Sequence, residues 1–72
     1  MRIISQSGRT DLNYDKCAIV VEDNYIEART TSQTYLMAKY SGYGVAEMMA
    51  TKMLMAYKNN ASYFQFPSKM EV

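Results

Sequence analysis

Histidine is missing from these 72 residues, and cysteine and proline occur once each, as Cys17 and Pro67. Each shortage removes a class of function. Without histidine there is no ordinary Ser–His or Cys–His nucleophile pair. A zinc site would have to be assembled from one thiol and carboxylates, a rare donor set. A single cysteine allows no disulfide within the chain. Standing at the head of an apolar run, Cys17 reads as a packed, inert thiol of a reducing compartment. Runs of like charge are missing too. Eight basic and seven acidic residues are interspersed to a net charge of +1, which favours neither nucleic acid nor an acidic partner. No stretch reaches the roughly 20 apolar residues of a membrane span. Arg2 could open a signal peptide, but Ser5, Gln6, Ser7 and Gly8 break the apolar region that should follow. The expectation is a cytoplasmic protein.

What is present points to one compact domain over residues 1–72. Hydrophobic residues make up 49% of the chain, above what disordered chains carry. A chain of this length buries only about 60% of its unfolded surface. Cores so small are often helped by disulfides, metals or oligomerisation, and here only the last is well supplied. Seven tyrosines and seven methionines stand out. Both residue types serve core packing and contact surfaces, tyrosine through rigid amphipathic area and methionine through adaptability.

Residues 41–57, SGYGVAEMMATKMLMAY, organise the rest. Val45, Ala46, Met49, Ala50, Met53, Ala56 and Tyr57 recur at spacings of three and four, which predicts one helix with an apolar stripe. Ser41 is the expected N-cap, although Gly42 and Gly44 weaken the first turn and could delay the start to Val45. Asn59-Asn60 closes the helix. Strands are expected over residues 2–6, 17–21, 25–31, 34–40 and 63–66, with residues 8–16 as a loop pinned by Leu12 and Tyr14. The run 17–21 is continuously apolar and reads as a central strand. In 25–31, Ile26, Ala28 and Thr30 alternate with outward Tyr25, Glu27, Arg29 and Thr31. In 34–40, Leu36, Ala38 and Tyr40 oppose Tyr35, Met37 and Lys39. Phe64 and Phe66 point inward, and Pro67 stops the last strand. The tail 68–72 is expected to be loose. Together these features predict an α+β fold: a small antiparallel or mixed sheet of four to five strands with one helix packed on one face. Its stripe would cover Ile26, Ala28, Leu36, Ala38, Phe64 and Phe66.

The stretches MRIISQSG, DLNYD, YLMAKYS, AY and YFQFP resemble a family of short proteins from phages and mobile elements of Firmicutes, which begin ISQ-x-G and end FQFP. The likeness spans most of the chain. It implies an origin and a fold and carries over no catalytic residue. The chain departs from the pattern at Gly42, Tyr43, Gly44 and Val45, where the family places charged residues after the capping serine. Met48 and Met55 likewise stand where charge is expected, and no Glu completes a capping box.

Asp11, Asp15, Glu22 and Asp23 are the candidates for a carboxylate pair, but all four fall in turn-like stretches where solvated surface acids are ordinary. Gly42-x-Gly44 before a helix resembles a phosphate-cradling turn but lacks its third glycine and its lysine. No enzyme activity, cofactor or metal is therefore expected. A binding surface is better supplied. The outer sheet face is predicted to present Tyr25, Arg29, Tyr35, Met37, Lys39, Tyr63 and Gln65, residue types that favour protein contacts. Such a face can also stack single-stranded nucleic acid, but the near-zero charge weighs against that. Met48 and Met55, seven residues apart, are expected to form a second apolar strip outside the core stripe, suited to a homodimer or other partner. The function expected is a non-catalytic phage or mobile-element accessory protein, working in the host cytoplasm. It would bind a host or rival protein such as a defence-system component. The alternatives are an oligomeric protein that sequesters a small ligand such as a nucleotide, and a nucleic-acid-binding regulator.

Overall fold

The computed structural model describes residues 1–68; of the loose tail expected over 68–72, residues 69–72 lie outside the described residues. Strands β1 (Arg2–Ile4), β2 (Asp11–Asn13), β3 (Ala18–Glu22), β4 (Tyr25–Arg29) and β5 (Thr34–Lys39) precede helix α1 (Tyr43–Lys58), and β6 (Tyr63–Gln65) follows it. The fold is α+β, but the single sheet of four to five strands is corrected to two three-stranded sheets, ordered β2–β1–β6 and β3–β4–β5. The stretch read as a loop supplies β2, which pairs antiparallel with β1, Ile3 facing Leu12. On the other side of β1 the chain returns as β6 in parallel, Ile3 facing Phe64. Three residues are too few for a readable period, so β2 looked like loop.

The helix buries Ala46, Met49 and Met53, three members of the expected stripe. They meet Ile26, Ala28, Met37 and Ala38 of one sheet, and Ile3 and Phe66 from the other, in a shared core. Phe64 is half-buried and meets Phe66 edge-to-face at 5.2 Å. Tyr57 remains exposed at the rim, where its ring lies 4.8 Å from that of Tyr14. The expected Ser41 cap is not made. Gly42 is the N-cap, with no side-chain hydrogen bond and no acidic residue in the first turn. The other end is closed as expected. Asn60 takes the left-handed conformation at φ 61°. Its amide donates to the Tyr57 carbonyl, and the Ala61 amide donates to that of Ala56, each at 3.0 Å. These two bonds satisfy carbonyls that a helix end otherwise leaves unpaired.

Strand β5 departs most from its sequence pattern. Ile26 pairs with Ala38 and Glu27 with Leu36, so Met37 is an extra residue, a β-bulge. A bulge shifts every side chain on one side of it to the other face. Leu36, expected inside, is 59% exposed, and Met37, expected outside, is 1% exposed. Tyr35 pairs with Ala28 and packs half-buried against the core. Strand β3, expected in the centre, is an edge strand beside β4 alone. Thr30 does not extend β4 inward. It opens the following turn, its hydroxyl donating to the Gln33 carbonyl at 3.0 Å. In the β3–β4 hairpin Asp23 adopts φ 49°, the left-handed turn conformation that Asp tolerates.

Gln6 fastens the two sheets. Its amide donates to the Met37 carbonyl at 2.8 Å. Its Oε1 accepts from the Lys39 amide at 2.8 Å. Its Nε2 reaches the carbonyls of Pro67 at 2.9 Å and Ser68 at 3.2 Å. Tyr40 adds a hydroxyl bond to the Pro67 carbonyl at 3.0 Å. Burial pushes that hydroxyl up to about 12. Residues of ISQ, YLMAKYS and YFQFP thus converge on one clip, and DLNYD meets AY through Tyr14 and Tyr57.

Candidate protein-binding surface

The helix covers one face of the β3–β4–β5 sheet and leaves the other open. Strand register arranges the open face in three rows: Ala18–Arg29–Thr34, Val20–Glu27–Leu36 and Glu22–Tyr25–Lys39. Alternation along β4 produces this directly, because Ile26 and Ala28 are drawn into the core and their neighbours must point away. Arg29 Nη2 lies 3.2 Å from Glu27 Oε1 and 3.6 Å from Glu22 Oε1. The Tyr25 hydroxyl donates to Glu22 Oε2 at 3.1 Å. That bond, and then the Glu22 charge, raises the pKa of Tyr25 above its ordinary value. The face therefore mixes a charge network with a tyrosine, a half-buried valine and one exposed leucine.

Of the residues expected to share a surface, Tyr25, Arg29 and Lys39 do so. Tyr35 and Met37 do not, because the bulge turns them toward the core. Tyr63 and Gln65 are exposed on the outer side of the other sheet, paired with Arg2 and Ile4. Met48 and Met55 are 40% and 52% exposed on the helix, as expected of an outer strip. They look away from the core on the helix side, so no flat partner joins them to the open sheet face. Sequence reasoning missed Glu22, Glu27, Val20 and Leu36 as members of the face. Glu27 stood in the outward set of β4 and was available from alternation. Leu36 had no signal, since its orientation depends on the bulge.

The remaining chemistry is sparse. Asp11, expected in a turn, lies in β2 and is ion-paired with Arg2, whose hydrogen bond lowers its pKa. Asp15 accepts from the Tyr57 hydroxyl at 3.4 Å. The Cys17 thiol points to the carbonyls of Asn13 and Tyr14. Burial, then the nearby Asp15 charge, raises its pKa and disfavours the reactive thiolate. Among the described residues no group of three or more His, Cys, Asp or Glu could hold a metal. An open groove of about 350 Å³ and mixed polarity runs between β2 and the β4–β5 turn, lined by Asp11, Leu12, Lys16, Thr30, Ser32 and Tyr35 among others. No helix among the described residues is long and apolar enough to cross a membrane. Comparison with protein-family models, curated proteins and solved structures returned no match.

Proposed function

We propose that the protein acts by binding another protein through the open face of the β3–β4–β5 sheet. Leu36 carries this reading: a large apolar side chain is held out in water between Glu27 and the Tyr25–Lys39 row. An apolar anchor within a rim of charged and aromatic groups is the composition of contact surfaces. The balanced charge of +1 gives no general attraction to phosphate. The resemblance of the chain's ISQ-x-G and FQFP stretches to short Firmicutes phage proteins supports an accessory role, with a host or rival protein as the target.

The test is affinity capture from host lysate with wild type and with Leu36→Glu, Arg29→Glu and Met48→Lys/Met55→Lys variants. All four positions are exposed, so each variant should keep its melting curve. The first two should lose a protein that wild type and the methionine variant retain, and nuclease should not release it. Loss only in the methionine variant overturns the reading in favour of the helix strip. Nuclease-sensitive, steeply salt-dependent capture assigns nucleic acid instead.

A further inference from the structure

The free edge of β3 differs from the other sheet edges among the described residues. The edge of β5 is occupied by Gln6, which takes the Met37 carbonyl and supplies the acceptor for the Lys39 amide. Strands β2 and β6 are three residues long, and Pro67 follows β6 closely. Short edges, bulges, lysine and proline all discourage pairing with another chain. Strand β3 has none of these devices. It runs AIVVE over five residues, unbulged, and among the described residues no backbone hydrogen bond other than those to β4 engages it. Ile19 and Val21 point to the core side yet remain only half-buried, with no strand beyond them among the described residues.

We infer that β3 pairs antiparallel with β3 of a second copy, about a two-fold axis through Val20. The strand is self-complementary in that register. On the inner face, Ile19 falls beside the partner's Val21 and Val21 beside the partner's Ile19. On the outer face, Ala18 falls beside the partner's Glu22. Arg29 is the β4 neighbour of Ala18, and the small alanine leaves its long arm a clear path across. Arg29 now reaches Glu22 of its own chain along a diagonal of roughly 14 Å between Cα positions, while the partner's Glu22 would stand roughly 10 Å away, two strand spacings off. Two such pairs form by symmetry. The combined order β5–β4–β3–β3–β4–β5 ends on both sides at an edge blocked by Gln6, so assembly stops at two copies and does not propagate.

Sedimentation equilibrium from micromolar to millimolar protein at low salt tests this, with circular dichroism to confirm the fold. Wild type should reach a dimer. Val20→Lys sets two like charges against each other at the axis and should weaken association at least about tenfold. Glu22→Arg and Arg29→Glu should each weaken it about tenfold, and the double variant should associate at least about threefold more tightly than either single variant, since both pairs are reversed while Glu27 now meets a like charge at position 29. Should Val20→Lys lose its fold, the charge-reversal set decides alone. A wild type that stays monomeric at millimolar concentration overturns the inference. So does a dimer indifferent to these changes, one abolished by Met48→Lys/Met55→Lys, or one that the double variant fails to restore. A monomer would leave the open sheet face intact, and Leu36→Glu, which lies on β5 away from the β3 edge, tests that face separately from the dimer.

Discussion

The two sheets are assembled on opposite plans. In β3–β4–β5 three successive strands fold back through tight turns, and each pairing is antiparallel and local. In β2–β1–β6 the strands are three residues long, and β6 arrives in parallel from the far end of the chain. Closing that distance costs chain entropy before any pairing offsets it. The second plan therefore relies on more than backbone pairing: the side chains of Ile3 and Phe66 in the core, and the Gln6 clip. The lesson is that one residue, through its backbone amide and its side chain together, can do the work of a strand. Gln6 satisfies one edge of β5 and holds the C-terminal segment at the same time.

The largest effect should come from breaking what the sheets share. Met53→Asp places an unpaired charge where helix and sheets meet and should cost several kcal/mol, against a total stability of about 5–15 kcal/mol. Thermal melting by circular dichroism checks it; an unchanged melting temperature would put Met53 outside the core. Next, Met37→Ala should cost about 2–5 kcal/mol while Leu36→Ala stays within about 0.5 kcal/mol in urea unfolding. Equal costs would remove the bulge from β5.

Gln6→Ala probes the contrast itself. It should cost about 1–3 kcal/mol and speed hydrogen exchange at Lys39 and through β1 and β6 more than in β3 and β4. Uniform acceleration would mean that the sheets open as one unit. A smaller loss than that of Gln6→Ala is expected for Tyr40→Phe, about 1 kcal/mol at neutral pH for the lost bond to Pro67. The pH dependence has a definite sign. The folded hydroxyl holds its proton up to about 12, against the ordinary 10.0. The unfolded chain releases its proton first, so wild-type stability falls as pH rises from 10 toward 12. The variant lacks that loss, and the two stability curves should converge above pH 10. Parallel curves would show that Tyr40 is not buried.

Part of the candidate surface is legible in the sequence alone. Tyr25, Arg29 and Lys39 followed from period-two alternation, and Met48 and Met55 from the helix period. Tyr35, Met37 and Leu36 were not legible, because one inserted residue in β5 reverses the alternation, and a bulge leaves no mark on composition.

By itself the sequence determined what is local. A three-and-four spacing made the helix and chose Ala46, Met49 and Met53 for burial. Asp23 and Asn60 made the turns that need left-handed backbone, and the alternation of β4 divided its inside from its outside. Tertiary structure alone decided which strands became neighbours. Val20 and its flanking residues are apolar enough for a central strand, yet β3 lies at an edge. Residues 11–13 look like loop, yet they pair with β1. Strand order depends on contacts between distant segments competing for the same core, and apolarity records how much a residue gains from burial but not which partner buries it.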